Sequence, residues 1–290
     1  MITENLDKLI AGKENLSNKF IELKIGDELL NVYQNSIFKK SDSYLFTSKR
    51  IGEKYLYLIS PNGSNEVTGL FLGISESIDG NLFIKKCKLV HHNAEAIKKL
   101  FPFANPVVVG LQNSFGFGDR LGLANHAHIR SLKVNEDFFP ILAQQSIREL
   151  TRTERTADEV MDAAVWAVMQ EGYTKGFGAD ADHLKTTEDI DYMAKAGYKM
   201  FTFDPGDYVV NESDTMTESE LEKYITKQEY STKKNVVNYY AGKDFIMNDT
   251  LTLFPTKIDT LRAIVKYGAA IKHIQMLFSH LAQTHPNRDF

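Results

Sequence analysis

Residues 140–203 decide the fold. Pro140-Ile141-Leu142-Ala143-Gln144 is a short apolar run of strand length. After it, Ala157, Val160, Met161, Ala164, Val165 and Val168 recur at three- and four-residue spacing, and Thr156 and Glu159 stand three apart as a capping box, so a helix is predicted. Gly176-Phe177-Gly178-Ala179 and Met200-Phe201-Thr202-Phe203 read as two further strands. Strand, loop and helix in repetition predict a parallel sheet with right-handed crossovers. Upstream, Pro106-Val107-Val108-Val109-Gly110-Leu111 is apolar and β-branched, which predicts a buried parallel strand. Downstream, Thr217 and Glu220 cap a helix carrying Leu221, Tyr224 and Ile225, and residues 258–281 are helical again. Four such units fit an open doubly wound sheet or half of a (β/α)8 barrel, and periodicity does not choose between them.

Residues 1–104 read differently. Tyr55-Leu56-Tyr57-Leu58-Ile59, Leu70-Phe71-Leu72-Gly73-Ile74 and Leu82-Phe83-Ile84 are β-like runs separated by Asn62-Gly63 and Asp79-Gly80. Such turns predict hairpins in a small antiparallel sheet. His91-His92 is read as ending a strand, where adjacent side chains point to opposite faces and make a poor metal pair. The expected organisation is a β-rich N-terminal domain over 1–104 and a partial barrel over 105–290.

With 290 residues and 43% hydrophobic, the chain is large enough to bury a proper core and is no disordered segment. Lys+Arg 34 against Asp+Glu 38 gives a net charge of -4, which argues against general nucleic-acid binding. No stretch approaches the roughly 18 apolar residues of a membrane span. Glu4 and Asp7 interrupt what a signal peptide would keep apolar, and the lone Cys87 excludes an internal disulfide. A cytoplasmic protein is expected.

Ligands bind at the carboxyl ends of strands in either α/β architecture, and here those ends are crowded with functional groups. Asp119 and Arg120 follow the first strand; Gln144 and Arg148 the second; Asp180, Asp182, His183 and Lys185 the third; Asp204 and Asp207 the fourth. Imidazole beside carboxylate suits a divalent ion, and a carboxylate near a metal also serves as a general base. Asp182 and His183 would otherwise be a helix cap, but Thr186 and Thr187 are placed to cap instead. Gly116, Gly118 and Gly122 miss the dinucleotide fingerprint by one residue, yet a glycine-rich turn entering a helix offers N–H groups to an anion. His126 and His128 are helix-surface or site residues. Arg148, Arg152 and Arg155 alternate with glutamates as a charged loop, from which one arginine can reach a substrate carboxylate. His273 and His280, distant from any strand tip, read as structural.

Four segments together, Gly116-Phe117-Gly118-Asp119-Arg120-Leu121-Gly122-Leu123-Ala124, Gln144-Gln145-Ser146-Ile147-Arg148-Glu149-Leu150-Thr151-Arg152, Gly178-Ala179-Asp180-Ala181-Asp182-His183-Leu184-Lys185 and Phe203-Asp204-Pro205, resemble the tagaturonate/fructuronate epimerases of hexuronate catabolism and their tagatose 4-epimerase relatives. The resemblance is strong over residues 100–290. It implies a (β/α)8-type barrel, a bound divalent metal (Zn, Mn, Fe, Ni or Co) and interconversion of D-tagaturonate and D-fructuronate. By the family pattern Asp182 is the proton acceptor and His183 a metal ligand; the strand-end residues Asp119, Arg120, Gln144, Arg148, Asp180, Lys185 and Asp204 are the candidates for contact with the sugar acid. The small sugar-acid substrate is the expected partner, with no nucleic acid or membrane. Family members are considerably longer, with further metal histidines and an acid/base carboxylate in their second half, so a fragment holding about half of the barrel is expected. A sugar-acid-binding protein without turnover and a barrel-type metal-dependent aldolase are the alternatives.

Overall fold

The computed structural model describes residues 2–12, 20–50, 52–61, 63–78, 80–132, 134, 137–227 and 233–286. Asn62, Asp79 and Asn287–Phe290, used above for turns and for the chain end, lie outside the described residues. The chain divides into two compact units, one holding residues up to 182 and 191–202, the other 183–190 and 203–286. These units cut the chain elsewhere than the expected 104/105 division.

The first unit opens with helix α1 (Ile2–Ala11) and the strands β1 (Phe20–Ile25), β2 (Glu28–Tyr33), β3 (Phe38–Lys40), β4 (Ser43–Arg50), β5 (Glu53–Pro61), β6 (Ile74–Ser77) and β7 (Leu82–Lys88). They form an antiparallel sheet ordered β1-β2-β4-β5-β7-β6, with β3 also on β4. Alternation puts Leu23, Ile25, Leu30, Val32, Phe46, Tyr57 and Ile59 in one core with Leu6 of α1. β4 is buried from Ser43 to Ser48, as a strand covered on both faces must be. The antiparallel sheet matches the sequence reading, but Leu70–Ile74 is not a strand: a short 3-10 turn ends at Leu70, and pairing starts at Ile74. Cys87 is a free thiol, pushed up to about 12 by burial.

Helix α2 (His91–Leu100) starts where a strand end was expected. The His91 imidazole faces both Asp162 oxygens at 3.1 Å, and His92 meets the Leu70 carbonyl at 3.0 Å. The pair therefore ties helix to neighbours, one on each side. Next come β8 (Ser114–Gly116), α3 (Asn125–Leu132), β9 (Phe139–Ser146), α4 (Ile147–Thr153), α5 (Ala157–Glu171), β10 (Gly178–Leu184), α6 (Thr187–Lys195) and β11 (Met200–Phe203). Their sheet has the order β11-β10-β9-β8, and β8–β9 and β9–β10 are parallel. The predicted strand over 106–111 is absent. Only Pro106 bridges Phe177; Gly110 then turns at φ 62° and Leu111 is fully exposed, so pairing on β9 begins later, at Ser114. The capping box of α5 is present as read.

In the second unit, α7 (Glu218–Lys227), α8 (Lys233–Tyr240), the hairpin β12 (Phe245–Asn248) and β13 (Leu251–Leu253), and α9 (Lys257–Thr284) follow. Leu221, Ile225, Leu261 and Val265 form its core, and Glu220 accepts from both Thr217 groups at the start of α7.

Gly172 closes α5 in the left-handed region at φ 63°, and a Cβ there would stand 2.4 Å from the Asn35 carbonyl oxygen. The close approach of α5 to residues 34–36 thus requires glycine. Gly172→Ala should lower stability by about 2 kcal/mol or more, from strain plus the clash, read as a drop in Tm. An unchanged Tm would mean that this approach is not maintained in solution.

Candidate functional site

The parallel register of β9 and β10 pairs Gln144 with Asp180 and Ser146 with Asp182. Alternation sends Gln144 and Gln145 to opposite faces, and each has a distinct task. Gln144 donates its amide to Asp180 Oδ2 at 3.0 Å, and Thr202 of β11 donates to Asp180 Oδ1 at 3.0 Å. On the β8 side, a Cβ at Gly116 would stand 2.4 Å from Gln144 Oε1, so the glycine makes room for that amide. A polar row therefore crosses β9, β10 and β11, and Asp180, 2% exposed, is its buried centre.

One pleat further along β10 stands Asp182. It shares a cavity of about 580 Å³ with Asp119, Arg120, Gln144 and Glu149, floored by the glycine-rich loop around Gly118. These residues all lie in the first unit. After a register shift between Gly178 and Ala179, β10 pairs in step with β9 through Asp182. A second irregularity comes at the next residue: His183 is exposed and adopts φ 55°, a left-handed conformation uncommon for a residue with a Cβ. That conformation breaks the alternation which would otherwise force neighbours to opposite faces.

The loop was expected to offer free N–H groups to an anion. The chain supplies that anion itself. Asp119, 6% exposed, accepts from Leu123 N at 3.0 Å, Ala124 N at 2.8 Å and Asn125 N at 2.9 Å, at the start of α3. Arg155 clamps the same loop, donating to the Asp119 carbonyl at 2.7 Å, Gln145 Oε1 at 3.1 Å and the Glu159 carbonyl at 3.1 Å. The sequence reading placed Arg155 in a charged loop and missed this positioning role; its only local signal was the position just before the cap of α5. It also missed Glu149, which pairs with Arg120 at the cavity. Arg148 is exposed on α4 and is not among the residues around the cavity. His128 packs its ring against Phe117, centroids 5.0 Å apart.

The other expected residues belong to the second unit. Lys185 donates to Asp207 at 2.8 Å and lies 3.6 Å from Asp204; the Asp207 hydrogen bond in particular holds the ammonium above the usual lysine range. Asp204 also accepts from Gly206 N at 2.9 Å, turning the chain after β11. Thr186 caps the next helix by accepting from Asp189 N at 3.1 Å, as its sequence position predicted. His273 corrects the reading that it lies far from any strand tip. Its Nε2 donates to the Lys185 carbonyl at 2.8 Å, just past the end of β10, and its ring stacks on Tyr208 with centroids 4.0 Å apart. Among the described residues, no three His, Cys, Asp or Glu side chains gather to hold a metal ion. Among them also, no helix is long and apolar enough to cross a membrane.

The model of the family described as UxaE, tagaturonate epimerase, matches residues 33–290. The tagaturonate/fructuronate epimerase of Thermotoga maritima is 39% identical over 259 residues, which is 89% of this chain and 52% of that protein. The glycerol-complexed crystal structure of fructuronate-tagaturonate epimerase UxaE from Cohnella laeviribosi superposes with a TM-score of 0.80 at 32% identity, covering 97% of this chain and 52% of that one. Its native form gives a TM-score of 0.79 at 32% identity, covering 98% and 53%. The chain thus spans about half the length of the relatives it matches, and the mixed α/β fold is theirs.

The caps at Asp119 make a test of the loop. Asp119→Ala should cost about 1–3 kcal/mol, the scale of a lost cap and of amides left unpaired. Hydrogen exchange at Leu123, Ala124 and Asn125 should speed up with it. Wild-type exchange at those three amides would show that the carboxylate does not hold the loop.

Proposed function

This chain belongs to the tagaturonate epimerase family, and we propose that it carries a site for interconverting D-tagaturonate and D-fructuronate in hexuronate catabolism. The observation that supports this most is Asp182: the residue that the family resemblance makes the proton acceptor lines the cavity beyond the polar row of β9 and β10. In this reading residues 1–104 are a β-rich domain, residues 105–290 contribute part of a (β/α)8-type barrel, and the enzyme works in the cytoplasm on a small sugar acid.

The two uronates differ at a carbinol carbon β to the ketone, which enolisation does not invert. A retro-aldol route does. Asp182 takes the proton of the carbinol hydroxyl, the C–C bond breaks toward the ketone side, the aldehyde rotates, and the bond re-forms with the proton returned. Removing the carbinol C–H proton directly is the alternative step for the same carboxylate. Asp180, held by Gln144 and Thr202, keeps Gln144 in place beside the cavity. Arg120 is the cation at the cavity for the substrate carboxylate, and it must share itself with Glu149.

A divalent cation, when bound, supplies positive charge at the ketone oxygen. His183 would hold it through one imidazole nitrogen. A single imidazole is one ligand and not a set, and no three-ligand group is present among the described residues, so none of the steps above is routed through the ion.

Purified chain incubated with D-tagaturonate and added divalent metal should form D-fructuronate, followed by NMR. Asp182→Asn should keep metal affinity and lower turnover by roughly 10²–10⁴-fold, the scale of one acid–base group. His183→Ala should lose both. Binding of the uronate without turnover would favour a sugar-acid-binding protein, and release of two smaller carbonyl compounds an aldolase. Full turnover in Asp182→Asn would remove Asp182 from the chemistry.

A further inference from the structure

A second cavity of the first unit, about 390 Å³, lies between the β1–β5 sheet and the helices α3 and α5. It shares no polar residue with the Asp182 cavity. Its charge is lopsided. Lys49, Lys54 and Arg130 line it against one carboxylate, Glu171. That carboxylate is already matched: Arg130 grips it in two-pronged fashion, Nε at 3.0 Å and Nη2 at 2.7 Å, with the Glu171 side chain 3% exposed. Lys49 and Lys54 pair with no carboxylate among the described residues. Three cations less one carboxylate leave two positive charges in a protein whose net charge is -4.

Lys54 is the more telling of the two. Its half-buried ammonium donates to Nε2 of His126 at 2.9 Å. An ammonium has no acceptor capacity, so Nε2 must carry the lone pair and the ring proton sits on Nδ1. Burial, followed by the nearby Lys54 charge, pushes His126 down to about 4, which keeps the ring neutral. Its Nδ1–H is buried with no partner among the described residues, and so is Oε1 of Gln170, a residue only 4% exposed. A half-buried cation next to a neutral ring, with an unused donor and an unused acceptor, is costly unless a ligand completes it.

We infer that this cavity is a binding site for a phosphorylated monosaccharide. A phosphate monoester carries about -1.5 to -2 at pH 7, which matches the two unpaired lysines, and lysine is a common phosphate binder. The rings of Phe20 and Tyr33, centroids 4.5 Å apart, form an apolar wall for the face of a sugar. The amides of Gln34, Asn35 and Gln170 stand beside it for hydroxyl groups. The volume lies within the usual range for small-molecule sites, about 300–1,000 Å³. The site is separate from the epimerase reading and does not depend on it.

Isothermal titration with D-ribose 5-phosphate as the probe tests the inference. The probe should bind and raise Tm, as a ligand of the folded state does. D-Ribose should not bind, and inorganic phosphate should bind at least tenfold more weakly. Lys54→Gln should weaken the probe by tenfold or more. Lys49→Gln, at an exposed position, should weaken it by a smaller factor and serves if the Lys54 variant does not fold. Asp182→Asn should leave the affinity unchanged, which keeps this result apart from the fate of the epimerase site. No binding of the probe, equal affinity in both lysine variants, or phosphate binding as tightly as the probe would overturn the inference.

Discussion

The hydrogen bond from Gln144 to Asp180 is the interaction on which the site depends. It is possible only because β9 and β10 run parallel in a register that faces residue 144 with residue 180. A shift of one residue would turn Asp180 and Asp182 to the opposite face. Burial of the Asp180 carboxyl group makes such a slip expensive, since a polar group buried inside a sheet must keep its hydrogen bonds. The same register that satisfies Asp180 sets Asp182 one pleat further, at the cavity. Structural need and chemical position are thus one constraint.

Around this row, the loop from Gly116 to Ala124 is held from two sides. Asp119 spends its carboxylate on backbone amides, and Arg155 fastens the loop carbonyl to Gln145 and to α5. The cation at the cavity is already partnered, Arg120 with Glu149. A substrate carboxylate would have to exchange with a resident carboxylate for its cation, which favours an anion over a neutral sugar only if the exchange is geometrically good.

Much of this was legible in the amino-acid pattern. The strands around Leu142 and Phe201 and the helices α5 and α7 carry clear periodicity or capping pairs, whereas the strand read over residues 176–179 in fact runs over Gly178–Leu184, through what was taken as its loop. Gln144, Asp180 and Asp182 stood out because strand ends in α/β folds face ligands. The strands β1 to β4 went unread, although in Phe20–Ile25 the apolar Ile21, Leu23 and Ile25 alternate with Glu22 and Lys24 as in a half-buried strand. Pro106–Leu111 was misread because apolar runs look alike whether or not a partner strand is there, and the turn at Gly110 moves pairing onward. The cap at Asp119, the clamp at Arg155 and the His273 bond to Lys185 join residues 4 to 88 positions apart. Only the tertiary fold brings the longer of these pairs together, and residue type alone does not announce them.

The claim that the Asp182 cavity receives the sugar acid is tested most directly by a backbone-amide NMR titration with D-tagaturonate. The account predicts that the largest shifts fall on Gly118, Arg120, Gln144 and Asp182, with the amides beside Lys54 and His126 unmoved. Shifts gathered around Lys54, His126 and Arg130, or along α8 and α9, would contradict it.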